Sequence, residues 1–312
     1  MASAAALSTS TLVRPPRVRP SPTASASPLV LPTHALPSLR RRPRSLTTTC
    51  AAAQTLGAAV RTRGAIQRWT SVPVAAISPA TEDESIFLIS LDLSDAPDLV
   101  EAYTTPGQYL LTRVPGGPNL PPSFMCISSA PRSGHQFDLL VESVPGTTSE
   151  QLCKLKRGDV VELGPVKGRG FAIQHINPPA AAETMLLFAV GMGISPIRSL
   201  IEFGFDASKR KDVTLYYAAK DRKSMPYQER FDKWEETGVK VVRIEQQLQE
   251  NYLLKQNLGE TILNNPLSTG AVIVGPTLVK EIITGVLLDH GVPHEKILTI
   301  EWSPRDPFPP NV

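Results

Sequence analysis

An antiparallel β-barrel followed by a doubly wound parallel-sheet α/β domain is the fold class this 312-residue sequence predicts. Three observations predict it. Between residues 69 and 176, short apolar stretches recur between turns rich in Gly, Pro, Asn and Asp, the grammar of an antiparallel barrel or sandwich. From Thr184 onward, apolar strands alternate with helical stretches, the order that builds a parallel sheet. At the head of that second part, residues 185–200 read as strand, glycine turn, proline and helix.

The elements follow in order. Residues 1–50 are rich in Ala, Ser, Thr, Pro and Arg, and no Asp or Glu appears before Glu82. An acid-free leader of this composition reads as an organelle transit peptide, and its Met-Ala-Ser-Ala start with Ser, Thr and Pro favours a chloroplast. Residues 51–67 read as a flexible linker. Strands are expected at 72–78, 85–93, 108–114, 125–129, 137–144 and 159–163, with a short helix at 148–155. A polar joint at 177–182 then separates a barrel domain, 68–180, from an α/β domain, 181–312. In the latter, strands are expected at 185–190, 213–218, 239–244, 271–274 and 297–300. Helices are expected at 196–203, 226–236 and 277–290, with a further helical region ending at Asn264.

Composition narrows the function classes. The leader holds seven of the 32 basic residues (Arg14, Arg17, Arg19, Arg40, Arg41, Arg42 and Arg44), leaving 25 against 29 acidic ones. The formal charge of +3 therefore belongs to the leader, and the remainder gives no reason to expect nucleic-acid binding. At 41% hydrophobic residues the chain reads as globular, and no apolar run approaches the ~20 residues of a membrane span. Cys126 and Cys153 stand apart, and Cys50 lies in the expected processing region, so neither an iron–sulfur cluster nor a zinc site is read. His290 and His294 share helical spacing, but Gly291 and Pro293 break a helix between them. No nucleophile elbow or Cys/His pair stands out.

The residues that carry chemistry are the turns. In Val190-Gly191-Met192-Gly193-Ile194-Ser195-Pro196, glycines let backbone pass close to an anion while the helix turns its free N–H groups toward it. Pro196 suits the first turn, where no N–H partner is lost, and Ser195 is expected to cap the helix. Arg198, further along, reads as a surface helix residue. A second strand-to-helix turn stands at Val274-Gly275-Pro276.

Together with three barrel motifs, these turns resemble the ferredoxin–NADP reductase superfamily, and within it the plant fruit protein pKIWI502-like group. The motifs are Gly107-Gln108-Tyr109-Leu110, Pro122-Ser123-Phe124-Met125-Cys126-Ile127-Ser128-Ser129, and Gly146-Thr147-Thr148-Ser149 with the later Gly158-Asp159-Val160-Val161-Glu162 and Gly164-Pro165. The likeness spans roughly residues 68–302. It implies a flavin-binding barrel, holding FAD, and a nicotinamide-nucleotide domain, holding NADPH or NADH.

The resemblance assigns flavin contacts to Tyr109, Phe124, Cys126 and Ser128, and the flavin pyrophosphate to Gly146, Thr147, Thr148 and Ser149. It assigns the pyridine nucleotide to Gly191, Gly193, Ser195, Pro196, Gly275 and Pro276, with Tyr227 on the adenine. Lys220 and Arg222 favour a 2′-phosphate and NADPH, whereas Glu245 favours a free ribose and NADH. The chain departs from the family at three places: Pro122 replaces an Arg that binds the flavin phosphate, Met125 a Ser, and Val274 a Cys. Arg113, Lys167 and Arg169 remain as substitute cations. The implied activity is hydride transfer between NAD(P)H and FAD, then electron transfer to an external acceptor, a small molecule or a protein. Hydride transfer needs no general acid or base, so no catalytic side chain is assigned. The three departures leave a second reading, a non-catalytic nucleotide-binding or regulatory module on the same fold.

Overall fold

The computed structural model describes residues 68–245 and 265–300. The leader, the linker, the helical region ending at Asn264 and the tail from 301 lie outside the described residues.

Six strands build the first sheet: β1 (Thr70–Pro79), β2 (Ile86–Asp92), β3 (Tyr109–Arg113), β4 (Ser123–Cys126), β5 (Gln136–Glu142) and β6 (Val160–Leu163). They pair antiparallel in the order β4-β3-β6-β1-β2-β5. An isolated bridge between Ile127 and Leu139 joins the two ends of that order, so the sheet nearly closes on itself. Alternate residues turn inward, as the period of a strand dictates. Val72 and Val74, Ile89 and Leu91, and Leu139 and Val141 meet Leu110, Met125 and Ile127 in one apolar interior.

Two barrel details differ from the sequence reading. Strand β4 begins and ends earlier than expected, because β3 pairs only as far as Tyr109↔Cys126 and Ile127 then bridges to β5 instead. Helix α1 (Pro97–Ala102) was not expected. It has six residues and buries only Leu99, too little for a periodic signal. Helix α2 (Thr148–Cys153) stands where a short helix is expected.

The second sheet holds β7 (Thr184–Val190), β8 (Asp212–Ala219), β9 (Lys240–Glu245), β10 (Thr269–Val274) and β11 (Ile297–Thr299). All pairs are parallel, in the order β11-β10-β7-β8-β9. The chain leaves β7 to one side and returns on the other at β10. That reversal is the topological switch point at which open α/β sheets bind ligands. Strand period splits the apolar residues between two faces. Leu187, Ala189, Leu215 and Val272 pack with helix α3 (Ile194–Glu202) and reach Leu140 and Phe171 of the barrel part. Leu186, Phe188, Tyr216 and Ile273 pack with helix α5 (Thr277–Asp289) on the other face. The expected helix at 226–236 is shorter. Tyr227 takes a positive φ of 66°, a 3-10 turn follows at Gln228–Arg230, and helix α4 runs only over Phe231–Glu236.

Candidate functional site

A cleft of about 590 Å³ opens along β4. Phe124 and Cys126 lie on one face of β4, opposite Leu111 and Tyr109 of β3. Tyr109 shares this face, is fully buried, and meets the Phe124 ring at 5.9 Å between centroids. It adjoins the cleft without lining it. Cys126 is half-buried, and burial pushes its thiol up to about 12, so it stays neutral at physiological pH. Met125, one residue off in the pleat, packs into the barrel interior.

The loop before α2 forms a second wall. Thr147 Oγ1 donates to the Val144 carbonyl at 2.7 Å and sits 2.8 Å from Ser149 Oγ, which accepts from the Val144 amide at 3.3 Å. Thr148 Oγ1 donates to the Pro121 carbonyl at 2.9 Å, and the Gly146 amide donates to Glu150. These bonds hold the loop in a set shape. Hydroxyl lone pairs and first-turn amides remain the local donor and acceptor set.

Met192 and Ser195 complete the cleft from the other sheet. They come from the turn Gly191–Gly193 and the start of α3. The Ser195 hydroxyl does not cap the helix. Gly193 holds the cap position with no side-chain bond, and Ser195 Oγ instead donates to the Cys126 carbonyl at 3.4 Å. At the ends of β7 and β10 the two chains approach so closely that a Cβ on Gly193 would lie 2.3 Å from the Val274 carbonyl oxygen. A Cβ on Gly275 would meet Val190 at 2.9 Å. These glycines are required by the crossing itself, with Pro276 leading into α5.

Lys220 and Arg222 are exposed just past the carboxyl end of β8. Arg222 Nε donates to Gln228 at 3.2 Å, and Glu245 is exposed at the end of β9. Of the substitute cations, Lys167 pairs its backbone with Tyr109, and Arg169 lines a separate groove of about 840 Å³ against α5.

Behind the cleft lies a buried polar seam that the sequence reading missed. Arg198 is not a surface residue. Its side chain is 4% exposed, and Nη2 donates to Asp138 Oδ2 of β5 at 2.7 Å. Nε pairs with Glu202 at 3.2 Å, and Nη1 reaches Ser128 Oγ and the Tyr227 hydroxyl at 3.4 Å. The Tyr227 hydroxyl donates to Ser128 Oγ, and Ser128 donates to the Asp138 carbonyl. Tyr103 donates to the Ser129 carbonyl at 2.8 Å and meets Ser199 Oγ at 2.6 Å.

Burial alone would raise the Asp138 carboxyl, but the Ser90 hydroxyl and the Arg198 guanidinium outweigh it and hold it below its usual value. Two expected ligand contacts are thereby corrected. Tyr227 is 1% exposed with its ring against Trp234 and Arg198, so it presents no face to an adenine. Ser128 is fully buried and serves the seam. A signal existed in the sequence: Ile194, Ile197 and Ile201 mark an apolar stripe at helical spacing, and Arg198 falls inside it.

The cleft thus gathers Phe124, Cys126, Gly146, Thr147, Thr148, Ser149 and Ser195, with Gly191, Gly193, Pro196, Gly275 and Pro276 at the adjoining strand ends. Residues 187–279 match the oxidoreductase NAD-binding domain family. The chain is 43% identical over 246 residues to fruit protein pKIWI502 of Actinidia deliciosa, covering 75% of this chain and 77% of that one. The chain belongs to the family of fruit protein pKIWI502. The fold is shared with a Neisseria gonorrhoeae ferredoxin NADP+ reductase, described with bound FAD and NADP, at TM-score 0.58 and 18% identity over 72% of this chain and 92% of that one. Phthalate dioxygenase reductase, described as a modular structure for electron transfer from pyridine nucleotides to 2Fe-2S, aligns at TM-score 0.58 and 16% identity over 75% and 67%. Like these reductases, the chain joins an antiparallel barrel to a parallel sheet.

Proposed function

We propose that the chain is a flavin-dependent oxidoreductase that moves hydride between NADPH or NADH and FAD and passes electrons to an external acceptor. One observation carries the reading. The cleft is walled on one side by β4 and the 146–149 loop and on the other by Met192 and Ser195 of the glycine turn. A flavin in the barrel and a nicotinamide at the switch point then share a wall.

The residues present suit that pair. The cleft is within the size range of small-molecule sites, with one aromatic face and a few convergent polar groups. Bound flavin supplies the two-electron chemistry and the protein supplies position. Phe124 offers its ring to the flavin face, with the Tyr109 ring packed beside it. The first-turn amides at Thr148 and Ser149 offer N–H groups to a phosphate, while the hydroxyls of Thr147 and Thr148 are spent on holding the loop. Lys220 and Arg222 offer charge to a 2′-phosphate at the end of β8. Cys126 holds its proton and adds no charge to the cleft. We assign the acid-free leader to chloroplast import, which an import assay on isolated chloroplasts tests.

The deciding experiment mixes the full chain with FAD, removes free flavin, and titrates NADPH and NADH separately without oxygen. Retained flavin whose visible absorption bleaches on addition supports the enzyme. Protein that retains no flavin overturns it in favour of the non-catalytic module.

A further inference from the structure

We propose that Arg113 holds the phosphate-bearing adenosine end of the flavin dinucleotide and so selects FAD over FMN. This rests on the flavin reading above. A second cavity, of about 390 Å³, lies beside the first, and the two share Pro122 and Thr148 at their joint. Its walls are the 114–120 loop, Gln151, Glu162 and Arg113, and Arg113 is the cation among these lining residues.

The sheet register explains why the charge sits there. The β3–β4 pairing ends with Thr112↔Ser123, so its continuation sets Arg113 opposite Pro122. Opposite residues share a face with Cβ atoms about 5 Å apart, and residues two apart in a strand share it too. Arg113 therefore stands on the same face as Phe124 and Cys126, one step beyond the aromatic wall. Arg113 lines the second cavity and not the first, so its charge serves what extends past the 146–149 loop and not the flavin ring or its own phosphate.

The guanidinium is held for this task. Its Nε donates to Glu162 Oε2, the residue opposite it on β6, and its Cζ lies over the Trp69 ring, 4.2 Å from the centroid. Neither contact uses the two Nη groups, and the side chain is 42% exposed, so a ligand can reach it. A stacked, pinned guanidinium gives bidentate contact to phosphate at little cost in side-chain freedom. Lys167 and Arg169 line neither of the two joined cavities.

FAD and FMN binding to the full chain, wild type and Arg113→Ala, tests this by quenching of flavin fluorescence. A charge-assisted contact predicts about ten- to hundredfold weaker FAD binding in the variant. FMN binding stays unchanged, and Arg113→Lys recovers part of the FAD affinity. Thermal melting without flavin shifts little, because a half-exposed ion pair adds little stability, and it checks that the variant is folded. Unchanged FAD affinity, or an equal loss for FAD and FMN, overturns the assignment. If wild-type protein binds neither flavin, the function itself fails, and this inference with it.

Discussion

The open cleft and the dry seam behind it are made from the same two segments, used in opposite ways. In the cleft, Phe124, Cys126 and Ser195 line the walls. Two residues beyond Cys126, Ser128 is fully buried, and one helical turn beyond Ser195, Arg198 and Ser199 are closed off from water with bonded side chains. The same strand end and the same helix therefore present one face to the cleft and another to each other. The difference teaches how a two-walled site keeps its width. A cleft shared by two sheets has no backbone ladder across it. Here the seam does that job, since Arg198 of α3 reaches β5 and Tyr103 of the barrel part reaches α3.

The largest test breaks the seam and leaves the cleft residues in place. Arg198→Ala strands Asp138 in a buried site, and losing one partner of such a pair costs about 3–5 kcal/mol. Urea unfolding of the flavin-free chain measures it. The double change Arg198→Met with Asp138→Leu is expected to cost much less, because no lone charge remains. A near-zero loss for Arg198→Ala would show that the seam is not what joins the walls.

Next in size is the strand crossing. Gly193→Ala places a methyl within 2.3 Å of the Val274 carbonyl oxygen, so backbone must shift. Overpacking of this kind costs about 1–3 kcal/mol, read as a lower Tm. Gly191→Ala meets no atom within 4 Å, although its φ of 53° carries its own strain. It is expected to cost less than Gly193→Ala, and the reverse order would place the tight contact elsewhere.

The cleft should answer differently. Phe124→Ala is expected to weaken FAD binding about fivefold, in line with the ~1 kcal/mol of an aromatic contact, while the flavin-free protein melts near its wild-type temperature. Equilibrium binding and melting, measured together, separate the two regions.

The smallest effect is acid sensitivity of the seam. The Asp138 carboxyl sits below its ordinary value of 3.8 in the folded chain. Its charged form therefore stabilises the fold above that value, and the stabilisation is lost as pH falls through the folded-state value. Melting temperature should drop below about pH 4, and Asp138→Asn should flatten that part of the profile. An unchanged profile would assign the acid response to other carboxylates.

How far the sequence could be read follows from how local each signal is. The short apolar run of β2 between turn residues and the uninterrupted run of β7 mark them as strands, so both were legible. The turn at 191–193 was legible because it needs only neighbours in sequence. Helix α1 was not, because six residues complete no apolar period. Tyr227 looked like a ligand contact because its role in the seam depends on Ser128, 99 positions away. Arg198 stood in an apolar stripe, yet whether that marks a buried pair depends on Asp138 60 residues earlier.

By itself, then, the sequence determined the two-sheet architecture and the glycine turns, because strand period, apolar runs and turn chemistry are written into adjacent residues. Only the tertiary structure decided which polar groups face the cleft and which weld its walls. Charge and hydrogen bonding act across space, and a serine or an arginine carries no mark of whether its partner is a ligand or another part of its own chain.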